Sequence, residues 1–153
     1  DLDLKDKTQG DLERILADKD IVFVNGGNTF YLLHWVRRSG FDKVLSHFLL
    51  RGGLYVGVSA GSYIVCPTIE QATWKHQDRN RVGMIDFTAL NLVPFLITAY
   101  FEEKYRTIVE QAAKMTDYPI VALTDRQAIV VHGKKVQIIG EGKREYWNGF
   151  EER

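Results

Sequence analysis

Twice in this chain a short apolar run of strand length ends in a glycine-bearing bend and passes straight into a segment with helical spacing. Ile21 to Val24 reads IVFV, the bend Asn25-Gly26-Gly27-Asn28 follows, and TFYLLHWVRRSG then carries apolar residues at helical intervals. Leu54 to Gly57 reads LYVG, the bend Val58-Ser59-Ala60-Gly61 follows, and a helical pattern runs on toward Pro67. Continuous apolar runs this short suit parallel strands buried on both faces. In a parallel sheet the strand C-termini share one edge, where ligand crevices form, so the two bends are expected to face one pocket.

The rest of the chain keeps the alternation. A helix is predicted over Asp11 to Asp20, with Leu12, Ile15 and Leu16 on one face. Thr29 is the expected cap of the helix after the first bend, and Gly40 its C-terminal stop. A further helix runs from Phe41 to the Gly52-Gly53 pair. Thr68 to Asp86 is polar and irregular, long for a connection, and long loops are often functional. Val93 to Thr98 reads as a third strand and Glu102 to Met115 as a helix with Tyr105, Ile108, Val109 and Ala112 on one side. Pro119 to Leu123 is the fourth strand, and Gln127 to Gly142 reads as two strands joined through Gly133-Lys134. The expected architecture is α/β, a mostly parallel sheet flanked by helices with a C-terminal β-hairpin, in a single domain over residues 1–153.

With 153 residues, 45% of them hydrophobic, there is material for one sizeable core. Twenty basic and twenty acidic side chains cancel, which argues against a nucleic acid or an anionic membrane surface as partner. One cysteine, Cys66, excludes an internal disulfide; together with the lack of a signal peptide or an eighteen-residue apolar run this points to a reducing cytoplasm. Cys66 itself is expected to pack as a small hydrophobe. The histidines and the cysteine are scattered, so neither a metal site nor a cofactor is expected. The opening DLDLKDKTQGD, without a methionine, reads as a connection into a helix, and an N-terminal segment is expected to be missing.

The second bend carries chemistry. Gly57-x-Ser59-x-Gly61 at a strand-to-helix junction holds the serine in a strained turn and lifts its hydroxyl above the sheet edge. The helix that follows aims its first amides at the same spot, so the N–H of Ala60 is placed to receive an oxyanion. The first bend, with no side chain at Gly27, can supply the second donor. The plain alternative is a small serine at a crowded bend and an ordinary Gly-Gly turn.

VNGGNTFYLLHWVRRSGFDKVL, RGGLYVGVSAGSYIV and ALTDRQAIVVHG together resemble the serine peptidase family of aspartyl dipeptidase (peptidase E) and cyanophycinase, from about Ile21 to Gly140. That resemblance implies a class I glutamine amidotransferase-like fold with serine in place of cysteine, and a further N-terminal strand-and-helix portion ahead of Asp1. Position by position it implies Ser59 as nucleophile, Gly27 and Ala60 as oxyanion amides, and Asp125 as the acid that orients a histidine. Taken alone, Thr124-Asp125-Arg126 is an ordinary turn.

The histidine is not there. In LITAYFEEKYR the position falls on Tyr100, and a phenol, with a reference pKa of about 10, is a poor general base at neutral pH. Shifting the register puts Ala99 there instead. His34 and His47 lie on helices and His132 on the hairpin, where each reads as structural or solvated; His76, in the long polar loop, is the one candidate surrogate base.

The resemblance implies peptides that carry aspartate as substrates. A carboxylate calls for a cation, and Lys104 and Arg106 are the candidates, with Arg126 weaker and Asn28 joining the substrate-binding set. Three readings stay open: an aspartyl-peptide hydrolase with impaired turnover, an inactive binding protein of the same fold, and a hydrolase of another amide or ester. Trp147 and Phe150 are read as exposed and as the candidate contact surface of a homodimer.

Overall fold

The computed structural model describes residues 1–75 and 78–153. Helix α1 (Gln9–Leu16) starts at Thr8, whose hydroxyl accepts from the Asp11 N–H while the Asp11 carboxylate accepts from the Thr8 N–H, a capping box. Strand β1 (Ile21–Val24), helices α2 (Thr29–Ser39) and α3 (Phe41–Leu50), and strand β2 (Leu54–Gly57) follow. After the second bend come α4 (Ala60–Tyr63), a 3₁₀ turn (Glu70–Thr73), β3 (Leu96–Thr98), a second 3₁₀ turn (Glu103–Tyr105), α5 (Arg106–Ala113) and β4 (Ile120–Ala122). The chain closes with β5 (Gln127–His132), β6 (Lys135–Gly140) and β7 (Glu145–Trp147).

The alternation makes an α/β fold, although its strands form three separate sheets instead of one mostly parallel sheet. β1 and β2 pair in parallel, Ile21 with Leu54 through Val24 with Gly57. β3 and β4 pair in parallel, and β7 adds antiparallel to the other side of β4. β5 and β6 form an antiparallel pair of their own. β7 was not foreseen, because three residues carry no readable period and its pairing is a tertiary event. Nor is β1 covered on both faces: Ile21 and Phe23 are exposed.

Two cores result. One lies under α1, α2 and α3, built on Leu12, Phe30, Leu33, Val36, Leu45 and Phe48. The other surrounds β3 and β4, with Leu96, Ile97, Val109, Ile120, Val121 and Ile138. Cys66 is wholly buried in the second, and its surroundings push the thiol up to about 12 by desolvation. Tyr55 packs against both.

Three expectations are corrected by the contacts the chain makes. The cap of α2 is Asn28, not Thr29: its side-chain oxygen accepts from the Tyr31 N–H at 3.0 Å. Helix α4 stops at Tyr63 and does not reach Pro67, because the carbonyls of Ile64, Val65, Cys66 and Pro67 accept from the amides of Leu90, Leu92, Asn91 and Ala89. That return also makes the long loop a packed excursion, with Ile69 buried and Phe87 edge-on to Phe30 at 5.4 Å. Phe150 is buried edge-on against Phe95, and Trp147 is half-buried against Phe101, so neither forms the exposed surface read from the sequence.

Candidate active site

Both parallel ladders run out at the edge where the chemistry collects. The first extends one bond past β2, Val58 N–H to Val24 carbonyl at 3.0 Å, and then turns at Ser59 with φ 55° and ψ −117°. Such a positive φ on a serine is a strained state that persists only where its surroundings hold it. The holding is visible: Gly61 N–H donates to the Val58 carbonyl at 2.9 Å, and Ser62 Oγ donates to the Ser59 carbonyl at 2.6 Å. Glycine is required on each side. A Cβ on Gly57 would stand 2.5 Å from the Gly61 carbonyl oxygen, and one on Gly61 would overlap the Val24 carbonyl.

The first bend meets the second at Gly26. A Cβ there would lie 3.1 Å from the Ser59 Cβ and 3.5 Å from its Oγ, so the two loops converge as the sequence implied. Gly27 follows with φ 129°, a conformation open to glycine. Among the described residues neither the N–H of Gly27 nor that of Ala60 has a hydrogen-bond partner, and neither does the Ser59 hydroxyl. Ser59, Tyr63, Gln71, Ala72, Asp78 and Tyr100 enclose a cavity of about 240 Å³.

The second ladder delivers the other half. Leu123 N–H donates to the Thr98 carbonyl and Phe101 N–H to the Leu123 carbonyl, both at 2.9 Å, which sets Tyr100 beside Thr124 and Asp125. Tyr100 and Asp125 line a cavity of about 510 Å³ that also reaches Ser59, so Tyr100 borders both the serine and the aspartate. The exposed Asp125 carboxylate makes no hydrogen bond to the described residues. Tyr100 has φ 56°, uncommon for a bulky residue. The residue before it is held on both sides: Ala99 N–H donates to the Tyr63 hydroxyl at 3.2 Å, and the buried Lys75 ammonium donates to the Ala99 carbonyl. Lys75 also lies 5.3 Å from the Tyr105 ring centre. Burial pulls its pKa down to about 8, with Glu102 and Asp125 acting in the opposite sense. Burial raises the Tyr63 phenol to about 12.

The histidines offer no substitute among the described residues. His34 stands edge-on to Trp35 on α2, and His47 and His132 are exposed away from the cavity. His76 lies outside the described residues.

The substrate-binding candidates divide. Asn28 borders the site, but its carboxamide serves the fold: beyond capping α2, it donates to the Arg79 carbonyl at 2.9 Å. Lys104 is paired with Glu102 at 2.7 Å and Arg106 with Glu103 and with Glu145 of β7, and neither lines the cavities around Ser59. The hydrogen bond from Arg106, ahead of that from Lys143, holds the Glu145 carboxyl below the usual range. Arg126 is paired with Glu141 at 3.3 Å. Residues that sequence reasoning passed over lie closer. Asp78 accepts from the Thr29 N–H at 2.9 Å and from the Thr29 hydroxyl, and it borders both the Ser59 cavity and a neighbouring cleft lined by Asn28, Tyr31, Arg79 and Arg81. No described carboxylate pairs with Arg79 or Arg81 within 4 Å. The one signal for them was the polar character of the loop, which names no single residue. Among the described residues no group of three or more His, Cys, Asp or Glu is placed to hold a metal ion.

A serine hydroxyl with no partner among the described residues, held on a strained strand-to-helix bend that a glycine bend meets at Gly26, matches the nucleophile elbow of a serine-type hydrolase of α/β fold. The profile of Peptidase family S51 matches residues 1–139. An uncharacterized peptidase of Listeria monocytogenes is 33% identical over 142 residues, covering 89% of this chain and 68% of the relative. Peptidase E of a Nostoc species is 26% identical, covering 87% of this chain and 62% of the relative. A crystal structure from Listeria monocytogenes EGD-e, provisionally assigned to peptidase E, superposes with TM-score 0.78 at 30% identity, over 92% of this chain and 69% of that one. This chain belongs to peptidase family S51. It spans roughly two thirds of the length of these relatives.

Proposed function

We propose that the chain carries the hydrolytic centre of a serine peptidase directed at aspartyl dipeptides or related Asp-containing peptides, with turnover impaired by Tyr100. The observation that carries this reading is the close approach of Gly26 to the strained Ser59, whose cavity Tyr100 also lines. In the reaction the Ser59 oxygen attacks the peptide carbonyl carbon, and the carbonyl oxygen takes up negative charge against the N–H groups of Gly27 and Ala60. The hydroxyl proton must pass to a base and then to the leaving amine, after which water releases the acyl group from Ser59. A neutral phenol at position 100 accepts that proton poorly, and loss of one triad member costs several orders of magnitude in rate. In this reading Asp125, which lines the larger cavity with Ser59 and Tyr100, is the orienting acid. The likeness to class I glutamine amidotransferases fits this layout, with serine in place of their cysteine.

The preference for an acidic substrate draws support from Arg79 and Arg81, cations with no described carboxylate partner in the cleft that adjoins the Ser59 cavity. Tyr100 favours a second reading, a binding protein that holds acidic dipeptides without cutting them. A fluorophosphonate probe separates the two. Labelling that disappears in Ser59→Ala, with slow release of aspartate from Asp dipeptides, supports the hydrolase. A folded chain that binds the dipeptide, resists the probe and gains hydrolysis in Tyr100→His is the binding protein. If Tyr100→His neither reacts nor cleaves, the family mechanism is wrong for this chain, and reaction with the probe without cleavage of Asp dipeptides points to another amide or ester.

A further inference from the structure

Lys75 is 9% exposed, and its ammonium finds a single acceptor among the described residues, the Ala99 carbonyl. No described carboxylate lies within 4 Å of it; Glu102 and Asp125 act on it from farther away, and the Tyr105 ring centre stands 5.3 Å off. A buried charge with so few partners weakens a fold, so packing alone would be better served by an apolar side chain. Lys75 lines neither cavity that reaches Ser59, and it meets the site only through Ala99. The carbonyl it holds belongs to the peptide unit that enters Tyr100, whose φ of 56° is strained for a bulky residue. Left free, that unit flips by compensating rotations at Ala99 and Tyr100, and Tyr100 relaxes to negative φ. On its other side Ala99 is fixed by the Tyr63 hydroxyl of α4, the helix that Ser59 opens. Tyr100 in turn lines both Ser59 cavities and a third, about 610 Å³, that it shares with Glu102 and Asp125. A flip would swing the side chain at position 100 away from the place where it borders both the serine and the aspartate.

We infer that Lys75 is a positioning residue of the site: its ammonium holds the Ala99-Tyr100 peptide unit in the orientation that keeps the side chain at position 100 bordering both Ser59 and Asp125. The consequence for turnover rests on the hydrolase reading above, whereas the hold on the turn is a matter of geometry. Lys75 touches no substrate in this role. It sets where the group at position 100 stands, whether that group is the present phenol or an imidazole introduced there.

Ala99-Tyr100 is the one Ala-Tyr pair in the sequence, so a chain isotope-labelled at alanine carbonyls and tyrosine nitrogens gives a single NMR cross-peak from this peptide unit. In Lys75→Met the peak moves or splits while the melting temperature at neutral pH holds or rises. Lys75→Arg, which still donates to the carbonyl, keeps the peak near its wild-type position. A merely structural lysine would do the reverse, lowering the melting temperature in Lys75→Met with the peak in place. In the Tyr100→His background, Lys75→Met lowers kcat for Asp-Ala by about tenfold or more with KM within about twofold, and Lys75→Arg restores most of it. Lys75→Leu repeats the comparison where methionine packs poorly, and unfolding of both variants makes the lysine structural. That outcome, a peak unmoved in both variants, or an unchanged kcat overturns the positioning role and leaves the hydrolase reading standing. A moved peak, with no cleavage by Tyr100→His, overturns the hydrolase reading and supports the hold of the ammonium on the turn.

Discussion

Gly26 and Ser59 face each other across the two bends so closely that a methyl group on Gly26 would stand 3.1 Å from the Ser59 Cβ. The backbone of Gly26 has a φ that alanine tolerates, so Gly26→Ala folds, at a cost of about 1–3 kcal/mol for the crowding. The nucleophile is displaced more than the fold is weakened. Fluorophosphonate labelling of Ser59 is expected to fall by about tenfold or more, because small misplacements of reacting groups are costly. Labelling at the wild-type rate would show that the two bends do not share one site.

Gly61→Ala has the opposite signature. Its methyl group collides with the Val24 carbonyl, a rigid backbone atom, and either α4 or β1 must shift. The expected loss is about 1–3 kcal/mol or more of stability, read by urea unfolding, with labelling lost in proportion. A variant as stable as wild type would contradict the packing of α4 on β1.

Lys75 makes stability depend on pH. Its folded pKa is about 8 against 10.5 when unfolded, so between those values the unfolded chain binds more protons than the folded one. Stability attributable to this group is full above about 10.5 and is lost as the pH falls through 8. Comparing wild type with Lys75→Met, the difference in unfolding free energy should shift in favour of the wild type as pH rises through that window. The same variant frees the Ala99 carbonyl and loosens the strained turn at Tyr100. A flat difference between pH 8 and 10.5 would refute the buried ammonium.

Tyr100→His is expected to leave stability unchanged or raise it slightly, since histidine visits positive φ more readily than a bulky phenol does. Thermal melts check this independently of any gain in hydrolysis. A marked drop in melting temperature would mean that the phenol has a packing role.

Arg106→Gln should weaken the fold and spare binding. The guanidinium joins α5 to β7 through Glu145, whose side chain is 12% exposed, so its loss leaves a nearly buried carboxylate short of a partner. The melting temperature falls while the affinity of Ser59→Ala for Asp-Ala stays the same. Loss of affinity without loss of stability would restore Arg106 to the substrate site.

The alternation of strand, bend and helix was legible along the chain, because short apolar runs and glycines such as Gly27 and Gly40, whose positive φ other residues rarely adopt, act through local sterics, whereas Gly26 and Gly61 answer to Ser59 and Val24 across the fold. The sequence also marked Ser59 through the Gly-x-Ser-x-Gly pattern, while Tyr100 was singled out only through the family resemblance. Tertiary structure alone decided that Arg106 belongs to Glu145 and that Phe150 is buried. It alone ended α4 at Tyr63 and brought Gln71 and Asp78 to the serine. Those outcomes depend on contacts between residues far apart in sequence, where a side chain's role is set by what lies opposite it and not by its neighbours along the chain.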